Sequence, residues 1–243
     1  MRKLTRDQHT EPFKGPFSIT RVHPGKILSK QNDDTAFGPF STIDHAVMKK
    51  GLTIKMHEHV NDEILSYVWI GKMYHRDSAG IEVAVTPGNL MMMNAGKGFW
   101  HEEKVKEAEV EMLQIFVRPN ETDLTPNIQF HEKPDRNRDW YLMVGPENSN
   151  APLHVRQNVY IYDDHPLKND QLDVPHIEGY APFLYVMDGE MMIDEIRIEK
   201  QEAITQDKRL VPLTANEDST ILLFLVDMNA PMSLAGTISG KQK

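Results

Sequence analysis

The sequence predicts an all-β protein made of two related halves, each a β-sandwich or barrel. Three observations carry this. Short β-prone runs repeatedly end at turn residues, one residue pattern recurs in the second half, and long amphipathic helical patterns are hard to find.

Along the chain, Leu52-Thr53-Ile54-Lys55-Met56 reads as a strand leading into a pair of histidines. Leu65-Ser66-Tyr67-Val68-Trp69-Ile70 ends at Gly71, Ile81-Glu82-Val83-Ala84-Val85 at Thr86-Pro87-Gly88, and Met112-Leu113-Gln114-Ile115-Phe116-Val117 at Arg118-Pro119-Asn120. Between them, Arg76-Asp77-Ser78-Ala79-Gly80 has the composition of a hairpin turn. Met91-Met92-Met93 reads as a strand of pliable core or pocket residues. Asp135-Arg136-Asn137-Arg138-Asp139 opens either one short helix or a loop.

The recurring pattern is Tyr-Val-x-x-Gly-x-Met. It occurs as Tyr67-Val68-Trp69-Ile70-Gly71-Lys72-Met73 and again as Tyr185-Val186-Met187-Asp188-Gly189-Glu190-Met191. Leu113-Gln114-Ile115-Phe116-Val117 then resembles Leu222-Leu223-Phe224-Leu225-Val226. Two matches in the same order point to a duplicated β unit, against the plainer alternative that strands look alike. The division expected is 1–125 and 126–243, with the boundary between Asn120 and Ala151. That stretch is a crossing segment and not a disordered linker, because Ile128, Phe130, Trp140, Tyr141 and Leu142 call for burial. The polar ends, Met1–Thr10 and Gly236–Lys243, are expected to be mobile.

Composition narrows the function. The 243 residues carry a net charge of −9, which disfavours direct nucleic-acid binding. With no cysteine, disulfides, thiolate metal sites and cysteine nucleophiles are excluded, and any metal must be held by His and Asp/Glu. No apolar run marks a signal peptide or a membrane span, so the expected setting is soluble and cytoplasmic. Phosphate-binding glycine loops and a hydrolase nucleophile elbow are absent.

The chemistry lies in His57-Glu58-His59 and His101-Glu102-Glu103. Strand residues two apart share a face. Two such strands side by side would bring His57, His59, His101 and Glu103 to one point. Three imidazoles and a carboxylate suit Fe(II), Mn(II), Ni(II) or Zn(II) and leave positions on an octahedral ion for water, substrate or dioxygen. Glu103 could act as both ligand and proton acceptor. Glu63 is either the partner that fixes a histidine tautomer or a rim carboxylate. His75 reads as exposed or structural, and Phe99 and Trp100 as pocket wall or core. His154, His165 and His176 lack paired spacing. Shifting His57 and His59 by the repeat lands on Pro175 and Ile177, so the second half is expected to lack the site.

Gly51-x5-His57-x-His59-x3-Glu63-x7-Gly71 resembles the first cupin motif. The run from His75-Arg76-Asp77-Ser78-x-Gly80 through Pro87-Gly88-x-Leu90-x-x-Met93-x-Ala95-Gly96-x-Gly98-x-x-His101-x-Glu103 is similar to the signature of the pirin family, which are two-domain cupins. The resemblance is densest over Gly51 to Val117. It implies two jelly-roll-like barrels packed face to face (a bicupin), with one metal in the N-terminal barrel held by His57, His59, His101 and Glu103. Where the family has Pro between the first two histidines and Arg-Gly after them, Glu58 and Val60-Asn61 stand here. Those departures put substrate identity in doubt more than metal binding.

By the resemblance, the leading expectation is a metal-dependent dioxygenase that cleaves a flavonol such as quercetin, using a small aromatic substrate and dioxygen. The ion expected is Fe(II), with Ni, Mn, Zn, Co or Cu as alternatives. In the expected reaction Glu103 takes the 3-hydroxyl proton, and the heterocycle opens with loss of carbon monoxide. The alternative is a non-catalytic, metal-containing regulator that binds a protein partner. Because the barrels would already pack on each other, a monomer is expected.

Overall fold

The computed structural model describes residues 1–28, 34–134 and 136–241. Apart from two short 3-10 turns, Arg6–Gln8 and Pro24–Leu28, the regular elements among these are β-strands. No helix among the described residues is long and apolar enough to cross a membrane. The segment after Pro134 forms no helix over residues 136–140, and Asp135 lies outside the described residues.

Each half is a seven-stranded sheet backed by a four-stranded one. In the first half, the strand order across the large sheet includes Asn89–Asn94, Glu63–Ile70, Val110–Val117, Phe40–Met48 and Phe17–Val22. In the second it is Ala203–Thr205, Ala181–Asp188, Thr220–Val226, Val159–Asp164 and Tyr141–Pro146. The two repeats of the Tyr-Val-x-x-Gly-x-Met pattern therefore occupy the same place in equivalent sheets, and Tyr67 and Tyr185 are equivalent residues. The fold is a bicupin.

Side-chain alternation sorts these strands between two kinds of core. On Glu63–Ile70, Leu65 and Tyr67 face the other half while Ile64 and Val68 face into their own barrel. On Val110–Val117 the split is Leu113, Ile115 and Val117 against Met112 and Phe116. The methionine triplet divides likewise, Met92 entering the core between the halves and Met91 and Met93 the barrel interior. Strands buried on both faces read as continuous apolar runs, as Leu222 to Val226 does. Phe40 stacks on Phe224 across the seam, with centroids 4.2 Å apart and planes 12° off parallel.

The crossing segment and the ends differ from expectation. Asn127–Glu132 pairs with Asn89–Asn94 and so extends the first-half sheet, while Arg2–Leu4 pairs with Ala203–Thr205 in the second-half sheet. Each half thus lends a strand to its neighbour, and a cut at residue 125 would separate both from the sheets they complete. Ile128 packs on the first barrel's core, but Phe130, two residues further along the same face of this edge strand, is exposed. Among the described residues neither end is loose, and Gln242 and Lys243 lie outside them. Leu4 is fully buried, and residues 236–240 are hydrogen-bonded onto the first barrel.

Candidate metal centre

Thr53–His59 and Phe99–Val105 are adjacent antiparallel strands of the first barrel's four-stranded sheet, and their register sets His57 opposite His101 and His59 opposite Phe99. Between His101 and Glu103 on one strand there are two steps, while their partners His57 and Ile54 are three apart. Thr53–His59 therefore carries one extra residue, a bulge that re-aims His57. His57, His59 and His101 each place a ring nitrogen within 4.8 Å of the others. The second half makes no such group among the described residues. Its equivalent strands, Gln171–Leu172 and Leu213–Ala215, are short and carry no His, Asp or Glu.

All three rings have the other nitrogen, Nδ1, engaged. His57 Nδ1 donates to the Lys55 carbonyl at 2.9 Å and His59 Nδ1 to Asp62 Oδ2 at 3.0 Å. Neither oxygen can donate, so both rings carry the proton on Nδ1 and offer a lone pair on Nε2. His101 Nδ1 lies 3.4 Å from His75 Nδ1. The Asp77 carboxylate sits 3.8 Å from His75 Nε2 and favours the proton there, so His75 Nδ1 accepts and His101 Nδ1 donates. His101 Nε2 is left buried with no protein partner, as a ligand nitrogen requires. Burial, together with the neighbouring histidines, holds the His101 pKa down to about 2, so the ring is neutral. Burial also lowers that of His57. Three imidazoles with convergent Nε2 atoms fit a first-row divalent ion.

Glu103 shares the inward face of its strand and is buried, but it is not one of the group within 4.8 Å. Its Oε1 accepts from Gln114 Nε2 at 2.7 Å, and Gln114 reaches it from the facing large sheet. Burial pushes the Glu103 carboxyl up to about 7, against the pull of nearby His59.

Several neighbours are placed otherwise than the sequence suggested. Glu63 does not touch a histidine. Its Oε2 accepts from Asn94 Nδ2 and the Arg156 backbone N–H, tying the barrel to the second half. Asp62, one residue earlier, is the carboxylate that holds His59. The signal was present, since a carboxylate three residues past a strand-end His sits within a turn's reach. Of the two readings of His75, exposed or structural, the structure has the second, although it lies in strand Met73–Asp77 and not in the turn, and is fully buried. The hairpin turn itself follows, joining that strand to Glu82–Val85. Phe99 lies within the barrel core, whereas Trp100 points outward and donates its indole N–H to Glu58 Oε1 at 3.0 Å. The centre is not sealed, because His57 is only half-buried.

Residues 16–117 match the family model for pirin, and residues 142–226 that for the quercetinase C-terminal cupin domain. This chain belongs to the pirin family. It is 26% identical over 191 residues to the quercetin 2,3-dioxygenase of Escherichia coli (strain K12), spanning 77% of this chain and 82% of that protein. As a pirin its fold is close to that of YhhW from Escherichia coli, with a TM-score of 0.80 at 23% identity, covering 92% of this chain and 96% of that one. The complex of that bacterial pirin with nickel(II) aligns with a TM-score of 0.79 at 22% identity, over 92% of this chain and 97% of that one. A quercetin 2,3-dioxygenase from Acinetobacter baumannii aligns at 0.77 and 20% identity, over 96% and 89%.

Proposed function

We propose that this pirin is a metal-dependent dioxygenase that opens the heterocyclic ring of a flavonol such as quercetin. One observation carries the reading. Three Nε2 lone pairs converge, each fixed from behind, next to a buried carboxylate whose pKa lies near neutrality. In this reading His57, His59 and His101 hold the ion, and Glu103 is the fourth ligand. The ion is Fe(II), one of the first-row divalent ions that a set of imidazoles and a carboxylate accepts. A bound divalent ion supplies Lewis acidity toward an enol or phenol oxygen and, if redox-active, a site for dioxygen.

The protein's own residues do the rest. Glu103 accepts the 3-hydroxyl proton of the flavonol, as a buried carboxylate beside the three imidazoles can. Gln114 Nε2 steadies the carboxylate before and after transfer. Phe99 and Phe116 make the apolar interior behind the imidazoles, the Phe116 ring lying 6.0 Å from that of His59. The substrate enters past the half-buried edge of His57. Overall, flavonol and dioxygen yield the ring-opened ester and carbon monoxide.

The test is oxygen uptake and carbon monoxide release with quercetin, using protein reconstituted anaerobically with Fe(II). Metal-dependent turnover that disappears in His57→Ala is expected. No turnover with metal confirmed bound would turn the reading to a metal-containing regulator.

A further inference from the structure

The carboxylate behind His59 is held from the far end of the chain. Asp62 is fully buried, and its Oδ2 accepts from His59 Nδ1 at 3.0 Å and the Ile238 backbone N–H at 3.1 Å. Its Oδ1 accepts from the Ser239 backbone N–H at 2.9 Å and the Ser239 hydroxyl at 2.7 Å. Thus the donors that orient this carboxylate, His59 apart, come from residues about 177 positions downstream.

The segment that supplies them is clamped on both sides. Thr237 N–H donates to the Val60 carbonyl at 2.9 Å, and Val60 N–H donates to Thr237 Oγ1 at 2.8 Å. The Ser239 carbonyl accepts from Ser41 Oγ at 2.8 Å and from Arg118 Nε at 2.7 Å. Arg118 is itself buried and paired with Asp34 through both terminal nitrogens, at 2.7 and 2.8 Å. The chain approaches so closely that a Cβ on Gly236 would fall 2.5 Å from Asp62 Oδ1 and 2.1 Å from Ser239 Oγ. A buried carboxylate with its acceptor sites filled by fixed donors cannot swing away from its histidine.

We propose that residues 236–240 form a working part of the metal centre, in which Ser239 is a positioning residue acting through Asp62 to hold His59 with Nε2 toward the ion. The proposal rests on the three-histidine reading of the centre but not on any particular reaction. It makes the end of the second half a structural requirement for metal affinity in the first.

Cobalt(II) is the probe, because its visible spectrum reports ligand geometry, and its affinity follows from competition with a chelator. Full-length wild-type protein, Ser239→Ala and Thr237→Ala are compared. Ser239→Ala removes the hydroxyl donor to Asp62. Thr237→Ala loosens the same segment without touching Asp62. The expected result is a Co(II) Kd raised about tenfold in Ser239→Ala with an altered spectrum, and a change within about twofold in Thr237→Ala. Equal affinities and spectra in Ser239→Ala and wild type would overturn the proposal, as would equal losses in both variants. Wild-type protein that binds no Co(II) would overturn the three-histidine reading along with it. A second measurement needs no variant. Imidazole nitrogen NMR of the metal-free wild type should show His59 protonated on Nδ1, and protonation on Nε2 would overturn the proposal even if Ser239→Ala did not fold.

Discussion

His75 Nδ1 lies 3.4 Å from His101 Nδ1, and the contact is diagonal across the ladder between Met73–Asp77 and Phe99–Val105. His101 is paired in register with Asp77, and His75 with Glu103. Asp77 Oδ1 accepts from the backbone N–H groups of Ala79 and Ile81, both at 2.9 Å, which locks the carboxylate against the hairpin turn. The line from turn to Asp77, His75 and His101 does for one ligand what Asp62 does for another.

Replacing His75 by Ala should leave His101 Nδ1 buried without an acceptor and free the ring to rotate. Metal affinity is expected to fall about tenfold, with the His101→Ala loss much larger. Chelator competition on the two variants measures both. An unchanged affinity in His75→Ala would show that packing alone orients His101.

Glu103→Gln keeps the size of the side chain but cannot take a proton. Turnover of quercetin by the Fe(II) protein should fall by about 10²-fold or more. The three histidines should still bind metal, which metal analysis after desalting would record. Retained turnover would remove Glu103 from the role of base.

Glu63 gives the protein a pH dependence unconnected with catalysis. Burial pushes its carboxyl up from the ordinary 4.5 to about 7, although Asn94 and the Arg156 N–H favour the charged form. Between those values the folded state keeps a proton that the unfolded chain has released. The stabilising contribution is therefore complete below pH 4.5 and lost as pH rises through 7, an effect on the order of 3 kcal/mol. Glu63→Gln should remove this slope and be the more stable protein, relative to wild type, at pH 8 than at pH 5. Denaturant midpoints at the two pH values test it. Asp164, raised by burial to about 6, titrates in the same window, so the difference between variant and wild type is the quantity to read.

What the sequence made legible follows from period. Histidines two apart on a strand share a face whatever the tertiary structure, so the convergence of His57, His59 and His101 could be anticipated. The repeat was legible because Tyr67 and Tyr185 occupy equivalent strands with equivalent turns. The supports of the ligands were not. His75 reaches His101 by a diagonal contact that depends on register, and register is not written in either strand alone. Asp62 and Glu63 are chemically alike and adjacent. Which of them meets His59 depends on the turn at Asn61, where φ is +53°, before Glu63 opens the next strand. The segment from Gly236 to Gly240 has the small polar residues of a mobile tail. Apart from a bond from the Gly240 N–H to the Gly236 carbonyl, its order comes from partners far away in the chain, which no local pattern records.

The duplicated glycines offer a test of the repeat at atomic scale. Gly71 and Gly189 stand at the ends of equivalent strands, Glu63–Ile70 and Ala181–Asp188, with φ of +88° and +82°. Each also lies against the turn that precedes its neighbouring strand. A Cβ on Gly71 would fall 2.4 Å from the Glu109 carbonyl, and one on Gly189 would fall 2.3 Å from Ser219 Oγ and 2.6 Å from the Asp218 carbonyl. Both the backbone conformation and the contact exclude a side chain, and the backbone obstacles cannot rotate aside. Gly71→Ala and Gly189→Ala should each therefore cost roughly 1–3 kcal/mol or more of unfolding free energy, and by similar amounts. Urea unfolding of the two variants, with the slopes compared to wild type, measures this. A neutral Gly189→Ala beside a damaging Gly71→Ala would mean that the second barrel has relaxed a constraint that the first retains for its metal strands.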